Sequence, residues 1–490
     1  MQLGDPELAI DTGRLRGRWR GASAAFLGIP FAQPPVGSLR FAAPLPVEPW
    51  DGVREAVEHG PTPQRGDPPL ETLIPEPSIP GDATLNLDVF TPAPGDRQAR
   101  LPVLVWIHGG GYTGGSPASP WYDGAAFNRD GIVTVTISYR LGFDGFGWIE
   151  GAPSNRGVRD WLLALDWVQR NILAFGGDPD RVTIAGQSAG GGAVLTLLGM
   201  PAARGLFQRA WAMSAAPADV TVERARAVAR RLATAAGVQP DRQGFASLPE
   251  ERILALQSAA SIDRRRGMIA VARTLLTEGA PLGPVVDGEL VARPVVQALA
   301  AGQGAQIPLV LGSTDDEFSM LFERAGAWVR WVPAGLALAL LGVSPARRRA
   351  YLAANPGPRG RGTSAMLGRY VSDMAFRSTV ARVAAARESA GAPSWVYRFA
   401  WTSPTTGWAQ HCLDVPFFFD CLDAPRVEHI AGHNPPQQLA RALHGAAVGF
   451  IRDGEPGWAP WSEQPGLARA FGGFSELDPH GYASVLPLLS

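Results

Sequence analysis

Lysine is absent from this chain: all 44 of its basic residues are arginine, a bias read here as codon usage. The absence excludes a side-chain Schiff base and a lysine general base. Cysteine is nearly absent too, with only Cys412 and Cys421 in 490 residues. A secreted protein of this length usually carries several bridges, so free thiols and a reducing, cytoplasmic setting are expected. The opening stretch from Met1 to Glu7 shows no basic-then-apolar export signal. The longest apolar run, Val332 to Gly342, is about half the ~20 residues that a membrane span requires. The formal net charge is only −1, so the chain as a whole offers no basic field for nucleic acid or anionic lipid.

Apolar residues make up 46% of the chain against 18% charged, enough for a large core. Short apolar runs alternate with helical periodicity through the first half. Leu101 to Ile107, Ile132 to Tyr139 and Val182 to Ile184 read as strands, and Arg159 to Leu173 as an amphipathic helix. Strand-like segments return at Pro308 to Leu311 and Trp395 to Trp401. Between them, 217–305 and 318–392 are rich in Ala, Arg and Leu with helical spacing. This pattern predicts an α/β fold, a mainly parallel sheet covered by helices, as one domain over 1–490 with two helical insertions that form pocket walls. Pro61 to Pro80, rich in proline, reads as a surface loop.

Two local motifs carry chemistry. Gly186-Gln187-Ser188-Ala189-Gly190 lies between the strand Val182 to Ile184 and an Ala/Leu-rich helix. G-x-S-x-G in that context marks a strained strand-to-helix turn that lifts a nucleophilic serine above the sheet. The helix start behind Ser188 offers free N–H groups to a developing oxyanion. His108-Gly109-Gly110-Gly111-Tyr112 follows directly on the strand Leu101 to Ile107. Consecutive glycines there let backbone amides approach a carbonyl oxygen without Cβ obstruction. A plain flexible turn is the alternative, and the position at a strand's carboxyl end weighs against it.

The chain resembles the type-B carboxylesterases, which include bacterial para-nitrobenzyl esterases and the cholinesterases. The matches run almost end to end: Gly28-Ile29-Pro30-Phe31-Ala32-Gln33-Pro34-Pro35-Val36-Gly37, then Asn155-Arg156-Gly157, then Asn171 through Pro179 leading into the serine turn. The resemblance implies the α/β-hydrolase fold and a Ser188–Glu317–His411 triad. Glu317 closes Gly312-Ser313-Thr314-Asp315-Asp316-Glu317, and His411 opens His411-Cys412-Leu413-Asp414-Val415-Pro416-Phe417. It further implies Gly110, Gly111 and Ala189 as oxyanion donors, a supporting cluster of Gln187, Ser214 and Asp414 beside the histidine, and a structural Arg40–Asp82 bridge. The acyl-enzyme chemistry needs no cofactor and no metal.

The histidines support the same choice. His59 and His480 lie in polar turns, His108 sits inside the glycine loop, and His444 is on an amphipathic helix. His429 and His433 have i, i+4 metal-ligand spacing, but Gly432 and Pro435-Pro436 argue for a solvated loop. His411 remains. The chain departs from the family in having Gln187 where glutamate is usual and Phe318 where glycine is common. It also lacks the cysteine expected near Thr84, which makes a quaternary-ammonium substrate an unlikely match. Three readings follow: a monomeric hydrolase of hydrophobic or aryl esters of modest size, a carbamate or amide hydrolase with the same triad, and a catalytically silent binding protein. Pocket walls are expected from Pro68 to Pro80, from the segment after Ser214, and from Phe318 to Trp331.

Overall fold

The computed structural model describes residues 4–63, 73–262, 268–323, 329, 331–472 and 476–489. Its largest element is an eleven-stranded sheet. In chain order the strands are β1 (Arg18–Arg20), β2 (Ser23–Pro30), β3 (Asn86–Thr91), β4 (Leu101–Ile107), β5 (Val133–Ile137), β6 (Gly177–Gln187), β7 (Arg209–Met213), β8 (Leu309–Thr314), β9 (Ser394–Phe399), β10 (Ala468–Phe471) and β11 (Glu476–Asp478). Their spatial order is β11-β10-β9-β8-β7-β6-β4-β5-β3-β2-β1. From β10 to β5 every neighbouring pair is parallel, and the antiparallel pairs lie at the two ends. The interior strands are buried on both faces, so Leu101–Ile107 and Val133–Ile137 read as unbroken apolar or β-branched runs.

The helices used below are α1 (Arg156–Asn171), α2 (Ala189–Leu198), α3 (Val222–Ala236), α4 (Glu250–Ser261), α5 (Met268–Glu278), α6 (Ala334–Leu340), α7 (Pro345–Ala354), α8 (Thr363–Ser372), α9 (Ser378–Ser389) and α10 (Gln437–Asp453). α1 buries Val158, Trp161, Leu165 and Val168 along one stripe, and Trp161 and Trp167 anchor it in the main core. A second core on the other side of the sheet packs α10 and the aromatic run Phe417-Phe418-Phe419 against Trp106 and Trp211.

Five of the eleven strands were legible in the sequence. The missed ones are the two edge strands Arg18–Arg20 and Glu476–Asp478, the short Ala468–Phe471, the antiparallel Ser23–Pro30 and Asn86–Thr91, and Arg209–Met213, an Ala- and Arg-containing segment that neighbours on both sides hold as strand. A small parallel ladder, Val220–Thr221 with Val285–Val286, also ties the ends of the first helical insertion together.

Register places the chemistry. Ile107 at the end of β4 pairs with Gly186 on β6, Gln187 with Met213 on β7, Met213 with Gly312 on β8, and Thr314 with Phe399 on β9. The carboxyl ends of five adjacent strands thus form one row, where open α/β sheets bind their ligands.

Candidate active site

Ser188 sits between β6 and α2 with φ 59° and ψ −121°, a conformation sparsely populated for a residue with a side chain. Its N–H donates to Met213 O (2.9 Å), and its own carbonyl accepts from Ala216 N (3.1 Å). The flanking glycines are required by space. A Cβ on Gly190 would lie 2.0 Å from Ile107 O, and one on Gly186 would lie 2.5 Å from the Gly190 backbone. Strand and helix can therefore meet this tightly only over glycine.

The glycine loop folds back beside the serine. Gly110 (φ 105°) and Gly111 (φ 62°) are in left-handed backbone, and a Cβ on Gly110 would strike Gly114 O at 2.2 Å. The N–H groups of Gly110, Gly111 and Ala189 donate no hydrogen bond among the described residues. Unused N–H donors at a serine turn and a neighbouring glycine loop are what an oxyanion hole would require. His108 is fully buried, stacks on Tyr139 (4.5 Å) and directs Nδ1 at Gly109 O (2.9 Å). Burial pushes its pKa down to about 4, so it stays neutral and shapes the loop.

Across the sheet end, Glu317 and His411 are joined. Glu317 Oε2 lies 2.5 Å from His411 Nδ1, Oε1 accepts from Thr314 N (3.0 Å), and His411 N–H donates to Glu317 O (2.8 Å). Glu317 is fully buried and His411 is 5% exposed. Burial opposes a charged imidazole, but Cys412 and the Glu317 carboxylate outweigh it, and the His411 pKa is raised. Burial pushes the Cys412 thiol up as well, which leaves the Glu317 carboxylate as the partner that favours the imidazolium. Phe318 and Phe376 pack on the imidazole, each with ring centroids 4.8 Å away. Phe376 lies in a π-helical turn, Asp373–Arg377, between α8 and α9.

The third contact is not formed. The Ser188 hydroxyl makes no hydrogen bond among the described residues, and His411 Nε2 faces the amide nitrogen of Gln187 at 3.2 Å. In the neutral imidazole, with Glu317 holding the proton on Nδ1, Nε2 is an acceptor and the Gln187 amide donates to it; protonation of Nε2 removes that contact. Nucleophile–base bonds are commonly long until substrate is in place.

The chain from residue 4 to 466 matches the model of the carboxylesterase family. It is 32% identical to the para-nitrobenzyl esterase of Bacillus subtilis over 455 residues, covering 91% of this chain and 89% of that protein. The chain belongs to the carboxylesterase family. It is also 31% identical to the fumonisin B1 esterase of Sphingopyxis macrogoltabida over 487 residues, covering 96% and 86% of the two chains. The solved Geobacillus stearothermophilus carboxylesterase superimposes with a TM-score of 0.82 at 32% identity, covering 98% and 99%. This carboxylesterase is accordingly an α/β-hydrolase-fold enzyme that hydrolyses carboxylic esters by the serine mechanism.

A cavity of about 910 Å³ opens on Gly110 and Gly111. Its apolar lining is Val36, Leu141, Phe143, Ile253, Leu254 and Leu282, and Arg40, Glu76, Asp82, Arg140, Asp144 and Glu250 supply charge around it. The expected walls are only partly these. Glu76 comes from the proline-rich segment, but α4 contributes more, and Phe318 turns onto His411 instead. Positions 68–72, 324–328 and 330 of the expected walls lie outside the described residues.

Other expectations are corrected. Arg40 pairs with Asp144 (3.1 Å) where Asp82 was expected, because Asp144 follows β5 directly into the same cavity wall. Gln187, Ser214 and Asp414 are all buried, but they do not bond one another. Asp414 Oδ2 accepts from Tyr397 OH (3.0 Å), while Asp414 Oδ1 and Ser214 Oγ have no partner among the described residues. The one-turn helix Val415–Phe418 that Asp414 leads into aims its carboxylate at β9. His59 is no free turn residue: its Nδ1 lies 2.9 Å from the buried Asp88 Oδ2, and although burial opposes charging, Asp88 raises its pKa. His444 is buried between Phe418 O and Asp130. His429 lies on a short helix, Val427–Ala431, which Gly432 (φ 78°) ends. Among the described residues no group of three or more His, Cys, Asp or Glu is placed to hold a metal ion, Cys412 and Cys421 are unpaired, and no helix is long and apolar enough to cross a membrane.

Sequence reasoning missed the charge network behind Glu317 and His411. Asp315 is held by Arg377 (2.6 Å) and by both ends of Arg398 (2.6 and 3.0 Å), and Arg377 also meets Asp373 (2.8 Å). Asp316 N–H donates to Ala409 O (2.9 Å) and its carboxylate accepts from Ala409 N (3.4 Å), lacing the Glu317 loop to the His411 loop. The signal available was Arg369, Asp373 and Arg377 at i, i+4 and i+8, one face of a helix.

Proposed function

We propose that Ser188, Glu317 and His411 are the catalytic triad, that Gly110, Gly111 and Ala189 bind the oxyanion, and that the substrates are hydrophobic or aryl esters of modest size. The observation that carries this reading is the buried Glu317–His411 bond facing an elbow with three unused N–H donors. Ser188 Oγ attacks the ester carbonyl as its proton passes to His411 Nε2, displacing the Gln187 amide from that nitrogen. The tetrahedral oxyanion is held by the three N–H groups. His411 then protonates the departing alcohol, and water, activated by the same nitrogen, releases the acid and restores Ser188. Glu317 keeps Nδ1 protonated and stabilises the imidazolium. The apolar wall of the cavity supports the substrate class. The two unpaired thiols support a reducing, cytoplasmic setting, and we take the enzyme to be a monomer.

Ser188→Ala is expected to lower kcat on a para-nitrophenyl ester by about 10⁴–10⁶-fold with the fold intact. A phosphonate should label one site per chain, at Ser188. Labelling elsewhere, or more than a tenth of wild-type activity in the folded variant, would sink the assignment. Matching anilides and carbamates assayed beside the esters test whether the same acyl chemistry extends to those bonds.

A further inference from the structure

The helix α6, Ala-Gly-Leu-Ala-Leu-Ala-Leu, contains no polar residue, yet only one of its faces is covered. Ala337 and Leu338 are buried, Leu338 in a small core with Val343, Tyr351, Met366 and Tyr370. On the opposite face Leu336 and Leu340, one turn apart, are 54% and 50% exposed, and Trp331 in the turn before the helix is 79% exposed. A surface helix normally presents polar residues outward, so an apolar outward face calls for a partner.

The surroundings say which kind. From Trp331 to Ser372 the sequence has six arginines and no acidic residue; Arg369 is enclosed and paired with Asp373 (3.2 Å) and Asp316 (3.8 Å), which leaves Arg347, Arg348, Arg349, Arg359 and Arg361 at the surface. Arg347, Arg349, Arg359 and Arg361 are exposed, Arg361 with its guanidinium over the Trp408 ring (3.6 Å). The Arg348 stem runs alongside α6, with Cδ and Nε 3.8 Å from where a Gly335 Cβ would be. Arg273 of α5 brackets the other end, with Nε and Nη2 3.1 Å from where a Gly342 Cβ would be. Exposed leucines and a tryptophan rimmed by arginine have the composition of an interfacial docking surface. A second copy of this chain would bring like charges together across a two-fold contact, which disfavours that occupant. The whole-chain charge of −1 conceals this local field, because the balancing carboxylates lie in other segments.

We propose that α6 and α7 form a docking surface for anionic lipid membranes, with Trp331, Leu336 and Leu340 entering the headgroup region and the arginines meeting lipid phosphates. The surface belongs to the lobe that backs the active site: α6 packs on α8, and Ser372 at the end of α8 accepts the N–H of Phe318, whose ring lies on His411. Docking there would bring the site to esters dissolved in the bilayer. The inference rests on the surface alone and is independent of the triad assignment.

The test is co-sedimentation of the full chain with vesicles of phosphatidylcholine alone and of equal parts phosphatidylcholine and phosphatidylglycerol. At low salt the mixed vesicles are expected to bind at least about tenfold more protein, with the preference falling as salt is raised. Leu336→Glu with Leu340→Glu should reduce binding about tenfold or more, and Arg349→Glu with Arg359→Glu should remove the preference for phosphatidylglycerol. Both variants should turn over a small soluble ester at the wild-type rate, which verifies their fold. Equal binding to the two vesicle types, no binding, or variants that bind as wild type does would each overturn the proposal. So would a wild-type dimer that the leucine variant dissociates, which would assign the face to a second copy.

Discussion

Two enclosed carboxylates flank the Glu317–His411 pair, and their surroundings drive them in opposite directions. Asp315, with a side chain 13% exposed, lies in a nest of arginines; burial alone would raise its pKa, but Arg377 and Arg398 hold it well below the usual carboxylate range. Asp414, fully buried, has no arginine beside it. Burial and the field of Glu317 push it up to about 7, with the Tyr397 hydroxyl and His411 opposing. Burial raises both carboxylates, and the nearby cations decide which of them stays charged. Around Asp315 the network holds a permanent anion, whereas around Asp414 the charge changes near neutral pH.

The comparison can be broken at four points. The largest effect is expected at the triad acid itself. Glu317→Gln should lower kcat by roughly 10²–10⁴-fold with little loss of stability, because the imidazolium loses its counter-charge. If Asp316→Asn did this and Glu317→Gln stayed active, the acid would be misassigned.

Asp315→Asn should cost at most about 3–5 kcal/mol in urea denaturation at neutral pH, since it removes the carboxylate that two enclosed guanidiniums share and leaves Arg377 only Asp373 and Arg398 only Asp478. Because the folded pKa of Asp315 is depressed, its contribution is present above the unfolded value near 4 and is lost as pH falls below it. A cost that persisted undiminished at pH 3 would separate the stability from this charge.

Asp414→Asn should show the reverse trend. The raised pKa means that stability from Asp414 is full below about pH 4 and is lost as pH rises through about 7. Wild type should weaken relative to Asp414→Asn between pH 5 and pH 8, by at most about 4 kcal/mol for three pKa units. A stability gap that does not change over that range would place the titration elsewhere.

The smallest effect concerns Gln187, whose amide touches His411 Nε2. Gln187→Glu puts a carboxylate there, favours the imidazolium and should shift the acidic limb of kcat/KM upward by about half to one unit. The profile is best taken on a neutral ester. An unmoved or lowered limb would mean that the contact carries no electrostatic coupling.

What could be read from sequence is what depends on backbone geometry over a few residues. Gly186, Ser188 and Gly190 announce a turn that only glycine permits, and Gly109-Gly110-Gly111 a loop that leaves amides exposed. The apolar runs at 101–107 and 132–139 mark strands covered on both faces. The partners of side chains far apart in the chain were not readable. Arg40 meets Asp144, His59 meets Asp88 and Tyr397 meets Asp414, and none of these pairs follows from spacing or composition.

The sequence by itself determined the fold class, the nucleophile elbow and the order of the candidate catalytic residues, since local sterics and hydrophobic period act at short range. The tertiary structure alone decided that Phe318 and Phe376 clasp the base, that Gln187 occupies its second nitrogen, and that Asp315 and Asp414 differ in charge. Those outcomes depend on which groups the folded sheet and its helical insertions bring within a few ångströms, where desolvation and Coulomb energy are strongest.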